Sequence, residues 1–182
     1  MRESISGVFR IRERFLRSTH LERDFEDPSA LSGYVVTPQT RGYLSRLSSG
    51  FKDTSGQRAW RITGDFGTGK SSFALFAAHL FGNRRAELPK RLRETVRFSD
   101  LGGPLPRLLP VLITGSREPL AVAILRSLHR SLSETCKRGR VPSVVERIAA
   151  ELHPASGRIP EDKVVSLLAE ASAYVSSADK GT

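Results

Sequence analysis

The run Gly64-Asp65-Phe66-Gly67-Thr68-Gly69-Lys70-Ser71 constrains the fold of this chain more than any other feature. It fits the phosphate-binding loop pattern GxxxxGK(S/T) at every fixed position. Glycines let backbone N–H groups close around phosphate oxygens, an approach that a Cβ would block. The lysine reaches the β- and γ-phosphates, and the small hydroxyl binds Mg²⁺. The run therefore predicts a loop that holds a nucleoside triphosphate.

The flanking residues match the strand and helix that such a loop needs. Residues 59–63 alternate apolar with polar side chains, which predicts a short strand in which Trp60 packs against the core. Residues 71–81 carry apolar side chains at helical spacing, and Gly82 stands where a helix ends. The start of that helix would add its N–H groups and its positive dipole end to the phosphate site. The alternative is a glycine-rich turn with an exposed lysine.

Residues 59–82 resemble the P-loop NTPase superfamily. The resemblance implies that Lys70 contacts the β- and γ-phosphates of ATP or GTP, and that Ser71 holds Mg²⁺. Asp65 and Phe66 fill variable positions, so their side chains have no assigned role. The nucleotide-binding residues that the resemblance implies are Gly64, Asp65, Phe66, Gly67, Thr68, Gly69, Lys70, Ser71 and Ser72.

The remaining chain alternates predicted helices with one further predicted strand. Residues 108–113 form a near-continuous apolar run, which is typical of a buried parallel strand. Helices are predicted at 38–50, with Thr37 as the cap, at 118–137, at 143–153 capped by Ser143, and from Pro160 to about residue 177.

Strands that alternate with helices predict an α/β fold with a parallel sheet flanked by helices. Only two strands are predicted, so we expect an incomplete P-loop NTPase with a helical C-terminal part. The expected organisation is an N-terminal helical segment of residues 1–57, followed by a partial nucleotide-binding domain of residues 58–182. Within the first segment, Ile11, Phe15 and Leu16 fit one face of a helix.

An acidic strand end, which ATP hydrolysis needs to hold Mg²⁺ and orient water, is not evident. The run 108–113 ends in Thr114-Gly115, and Glu118 is more typical of a first helical turn. We therefore expect nucleotide binding, and catalysis only if an acidic strand completes the site. One expectation is that the chain is the N-terminal part of a larger ATPase.

Four stretches resemble large bacterial AAA-like ATP-binding proteins, some of which are encoded in phage-defence islands. They are RFLRSTHLERDF, GYVVTP, ITGDFGTGKSSFALF and PVLITGSREPL. This resemblance implies that the intact relative uses ATP to remodel a protein partner or to act on DNA. A protein partner or a homo-oligomer is among the assemblies it implies.

The net charge of +10 raises the alternative of a basic nucleic-acid-binding module that senses nucleotide without turnover. The densest basic stretches, Arg84–Arg97 and Lys137–Arg140, lack the aromatic interleaving of base-stacking surfaces, which favours a solvated basic surface. The single Cys136 excludes an internal disulfide, and no apolar run approaches the length of a membrane span. These features predict a cytoplasmic protein.

Overall fold

A computed structural model describes residues 18–27, 29–52, 58–82, 84–103, 108–115, 117–135, 142–153 and 159–178. Helices make up 63% of this part of the chain. The α-helices are α1 (Leu21–Asp24), α2 (Pro38–Lys52), α3 (Lys70–Phe81), α4 (Lys90–Thr95), α5 (Leu120–Thr135), α6 (Ser143–Leu152) and α7 (Glu161–Ala178). Two short 3-10 helices, Arg85–Glu87 and Phe98–Leu101, flank α4.

The prediction of an α/β fold with a parallel sheet is wrong. The described residues contain no β-strand, and both predicted strands, 59–63 and 108–113, are irregular. Among the described residues, no main-chain hydrogen bond joins either segment to another. A strand exists only where neighbouring main chain takes up its N–H and C=O groups, and the described chain supplies no such neighbour. The incomplete P-loop NTPase sheet is therefore not formed.

Residues 108–114, here named the central segment, keep the side-chain alternation of a strand without its pairing. Leu108 and Leu112 pack against one apolar cluster, whereas Leu109 and Val111 pack against a second cluster. The central segment thus lies between two helical groups and contributes to both. The apolar run predicted a covered segment, although no main-chain hydrogen bond joins it to the covering elements among the described residues.

Side chains of α5 donate hydrogen bonds to main-chain carbonyls of the central segment. The Ser127 hydroxyl donates to the Leu112 carbonyl at 2.6 Å, and the Ser131 hydroxyl donates to the Pro110 carbonyl at 2.5 Å. These two serines lie four residues apart, so they share one face of α5. The segment is therefore attached to α5 along one edge by hydroxyl groups.

The first apolar cluster is built around α2 and α3, and it confirms both predicted helices. The Thr37 hydroxyl accepts from the Thr40 N–H at 3.1 Å, as predicted for the cap of α2. Its fully buried side chains include Leu44 and Phe76. This cluster draws residues from both sides of position 57, and the proposed division there stays a prediction. Its buried members are Phe25, Leu31, Leu44, Phe73, Leu75, Phe76, Leu80, Phe81, Leu88, Leu92, Val96 and Leu101.

The second apolar cluster joins α5, α6 and α7, and it confirms the three helices predicted for the C-terminal part. The predicted cap of α6 is wrong, because Pro142 occupies the N-cap position and makes no side-chain cap. The helical face predicted in residues 1–17 lies outside the described residues. Buried members of this cluster are Leu125, Leu128, Leu132, Val144, Val145, Ile148, Ile159, Val164, Leu167 and Ala171.

His79 and Gly82 fix the C-terminal half of α3. His79 is buried, its Nδ1 lies 2.9 Å from the Leu75 carbonyl, and its ring centroid lies 4.4 Å from that of Phe25. Burial lowers the pKa of His79. Gly82 follows the helix as predicted, and a Cβ there would lie 2.3 Å from Cγ of Pro110. The end of α3 therefore approaches the central segment too closely for any larger residue.

Candidate nucleotide-binding loop

The predicted loop forms a turn that leads directly into α3. Gly67 and Gly69 have φ angles of +85° and +82°, a region that glycine adopts without strain. The helix begins at Lys70, and the Phe73 N–H donates to the Gly69 carbonyl at 2.9 Å. The prediction of a helix immediately after the glycine loop is confirmed.

Lys70 folds back over the loop instead of extending into solvent. Its Nζ donates to the carbonyls of Gly64 at 2.8 Å and Asp65 at 2.6 Å. The Thr68 hydroxyl also donates to the Asp65 carbonyl, at 2.8 Å. These bonds close residues 64–70 into a compact ring, with the ammonium group held near the loop backbone.

The loop is open to solvent along its length. Residues 64–69 and Ser71 are all exposed, while Lys70 and Ser72 are half-buried. A Cβ added at Gly67 or Gly69 would meet no atom within 4 Å. The glycines are therefore required here by the left-handed backbone and not by crowding.

The N-terminus of α3 has no side-chain cap. Gly69 is the N-cap residue, and glycine offers no oxygen to the first-turn amides. The first N–H groups of a helix have no partner within the helix, so they bind water or an anion. With the Lys70 ammonium beside them, these donors fit a phosphate chain, which supplies only acceptors.

Residues far away in the sequence support this end of α3. The Thr19 and Ser72 hydroxyls lie 3.2 Å apart, and three residues later the Glu22 carboxylate accepts from the Thr114 N–H at 3.0 Å. Arg130 donates to the same carboxylate at 2.6 Å. Residues 19–22 thus link the start of α3, the end of the central segment and α5. Because these residues lie far apart in the sequence, no sequence pattern predicted this link.

Glu118, the acid weighed in the sequence analysis, and Glu22 are both engaged by arginines. Burial raises the pKa of Glu22, but hydrogen bonds from Arg130 and the Thr114 N–H outweigh it, so the pKa lies below the usual value. Glu118 forms an ion pair with Arg126 at 2.6 Å. Within the described ranges, no three His, Cys, Asp or Glu residues group closely enough to hold a metal ion. Ser71, the magnesium ligand that the resemblance implies, lies exposed at the loop.

A cavity of about 480 Å³ lies apart from the loop, between α1, the end of α3, the central segment and α5. Its lining includes Glu22, Glu26, Arg84 and Arg130, and no residue of the loop. The guanidinium of Arg84 pairs with Glu26 at 2.8 Å, and Arg130 pairs with Glu22. These charges neutralise one another, so the cavity adds nothing to the phosphate site.

Comparison with protein-family models, with curated proteins and with solved structures finds no match to the chain. The interpretation of the loop therefore rests on its residues and its geometry. Across the described residues, no helix is both long and apolar enough to cross a bilayer.

Proposed function

We propose that the chain binds ATP together with Mg²⁺ at the loop of residues 64–72. One observation carries the proposal: the uncapped start of α3 and the Lys70 ammonium converge on an exposed loop with two left-handed glycines. A helix N-terminus contributes about half a positive charge, and the lysine adds a full charge. A triphosphate is the common metabolite that matches such a donor set.

Each residue type in the loop has a distinct role in this proposal. The amides from Gly67 to Ser72 donate to phosphate oxygens. Lys70 exchanges at least one of its carbonyl partners, Gly64 or Asp65, for the β- or γ-phosphate. The exposed Ser71 hydroxyl takes one position on Mg²⁺, an ion that keeps several waters and shares phosphate oxygens in such sites.

We propose binding without turnover by the described residues. An acid that orients the attacking water must face the phosphates, and both Glu22 and Glu118 are held by arginines. ATP-driven work on a protein partner or on DNA, as in AAA-like proteins, belongs to the same proposal and requires an acid from outside these residues. A cytoplasmic location, where ATP and Mg²⁺ are abundant, belongs to it as well.

Calorimetric titration with Mg-ATP tests the proposal. We expect Lys70→Ala to weaken binding by about 10- to 100-fold, because a hydrogen bond to a charged group contributes about 1.5–3 kcal/mol. The matched control is Lys90→Ala, which removes an exposed lysine whose partner Glu94 lies 3.9 Å away. That variant should bind like the wild type.

Two outcomes would contradict the proposal. One is equal affinity in Lys70→Ala and the wild type, with circular dichroism showing that both are folded. The other is equal weakening in both lysine variants, which would indicate non-specific attraction by net charge. Ser71→Ala sharpens the assignment further, since it should reduce the gain in affinity that Mg²⁺ gives while leaving metal-free ATP binding unchanged.

A further inference from the structure

Exposed apolar side chains concentrate in residues 58–66. Of the seven large apolar residues that are exposed in the described chain, Trp60, Ile62 and Phe66 lie within this stretch. Trp60 is 40% exposed and Phe66 is 95% exposed. The prediction that Trp60 packs against the core is therefore wrong. Grouped exposed apolar residues mark interaction surfaces, whereas isolated ones do not.

Two exposed arginines, Arg58 and Arg61, lie among these side chains. Arg58 and Arg61 are exposed, and within the part of the chain that the structure describes neither forms an ion pair or a side-chain hydrogen bond. By contrast, Arg84, Arg130 and Arg147 are all paired with carboxylates. The charges of Arg58 and Arg61 are thus available to an anionic partner.

We propose that the exposed surface of Arg58, Trp60 and Arg61 binds single-stranded nucleic acid. An aromatic ring stacks on an unpaired base, and a guanidinium binds the phosphates on either side of it. The order Arg58, Trp60, Arg61 places one aromatic residue between two cations. This is the interleaving that the densest basic stretches lack.

Single strands fit this surface better than the other classes of partner. A duplex hides the faces of its bases, and residues 58–66 offer no helix to enter a groove. The apolar core of a protein interface is depleted in charge, whereas here two cations flank the tryptophan. The net charge of +10 adds attraction for any polyanion. The proposal does not depend on ATP binding, because Arg58, Trp60 and Arg61 lie outside the loop.

Trp60 is the only tryptophan, so its fluorescence reports directly on this surface. We expect a fifteen-nucleotide oligo-dT to quench that fluorescence, and a labelled oligo-dT to show saturable anisotropy. Trp60→Ala should weaken binding by about tenfold, because stacking on one aromatic side chain contributes about 1–3 kcal/mol per base. Trp60→Phe should retain most of the affinity, since a ring remains.

The contribution of the Arg58 and Arg61 charges is tested with two double variants, each of which removes two positive charges. Arg58→Ala/Arg61→Ala should make the slope of log K against log salt shallower by about 1.4, since each phosphate contact contributes about 0.7 for single strands. The control, Arg46→Ala/Arg91→Ala, removes two exposed arginines elsewhere and should leave the slope unchanged. Both variants should bind Mg-ATP like the wild type.

Three results would overturn the proposal: no quenching by oligo-dT, equal losses in the two double variants, or tighter binding of duplex DNA or of a polypeptide than of oligo-dT. Failure of this proposal is distinguishable from failure of the ATP proposal. Lys70→Ala should lose Mg-ATP binding while Trp60 remains quenched by oligo-dT. A variant that loses both ligands together would show that only one site exists, and would also overturn the proposal.

Discussion

The lead-in segment (residues 58–63) and the central segment have strand-like sequences and opposite environments. The lead-in segment alternates apolar with polar residues, the central segment is a near-continuous apolar run, and the backbone of both is irregular. All residues of the lead-in segment are exposed, whereas the central segment packs between two apolar clusters. The difference lies in what covers them, because helices from both groups reach residues 108–112. Alternation predicts which side chains share a face, and it does not predict the partner of that face.

The two segments also differ in how the N–H and C=O groups of their unpaired main chain find hydrogen-bond partners. The central segment receives hydroxyl donors from Ser127 and Ser131 and a carboxylate acceptor from Glu22. The lead-in segment remains in contact with solvent, where water serves the same groups. The central segment is therefore half-buried against the two clusters, and the lead-in segment is exposed to a ligand.

Limited proteolysis should reveal the largest difference between the segments. Chymotrypsin is expected to cut after Trp60 at least about 100-fold faster than after Leu109 or Leu112, because exposed irregular backbone opens at almost no free-energy cost. Mass spectrometry of the first fragments measures this ratio. Comparable initial rates in both segments would remove the distinction between them.

A matched pair of truncations tests the same difference by stability. Leu112→Ala should lower the free energy of unfolding by about 2 kcal/mol, since it removes part of a packed leucine. Ile62→Ala, at a residue that is 44% exposed, should change it by less than about 0.5 kcal/mol. Urea denaturation monitored by circular dichroism measures both values. A larger loss from Ile62→Ala would show that the lead-in segment is buried in solution.

Removing a serine hydroxyl that donates to the central segment should lower the free energy of unfolding by a smaller amount. Ser131→Ala leaves the Pro110 carbonyl without this donor, which should cost about 1 kcal/mol. Thr63→Ala in the lead-in segment is the control and should be neutral within about 0.5 kcal/mol. Equal changes in the two variants would indicate that α5 does not hold the central segment through its serines.

The smallest predicted effect comes from pH and acts through α3, the helix that follows the lead-in segment and loop. Burial lowers the pKa of His79, so the unfolded chain takes up a proton first as the pH falls. The free energy of unfolding should therefore decrease below about pH 6.5, the ordinary value for histidine, and recover above it. Urea denaturation between pH 7.5 and 5.5, above the range of the carboxylates, measures this.

The variant His79→Leu provides the control for the pH dependence. It should flatten the profile in that interval, because the buried proton acceptor is gone. An unchanged profile would assign the pH dependence to another group. The lowered pKa of Glu22 acts only at lower pH, where loss of its charge removes the bonds to Arg130 and the Thr114 N–H.

The sequence predicted the helices well and the sheet wrongly, for a physical reason. Helix signals are local: Thr37 before Pro38 specifies the start of α2, and apolar spacing within residues 71–81 specifies α3. Strand pairing depends on main chain from elsewhere, which neither segment carries in its own residues. The burial of Trp60 was predicted wrongly for the same reason.

The candidate site also combines features that local sequence predicts with contacts that it does not predict. The turn at Gly67 and Gly69 and the start of α3 at Lys70 follow from local residue types. The Thr19–Ser72 contact and the engagement of Glu22 arise from chain separated by 53 and 92 residues, so no local pattern specifies them. ATP as the ligand stays a prediction.

Amide chemical shifts in a titration with Mg-ATP test the central claim most directly. The proposed binding requires the N–H groups of residues 67–72 to donate to phosphate oxygens. We predict that the largest ¹⁵N and ¹H shift changes fall within that stretch, are lost in Lys70→Ala, and leave residues 108–114 unchanged. Shift changes that are largest outside residues 64–72, or their absence at saturating millimolar Mg-ATP, would contradict the account.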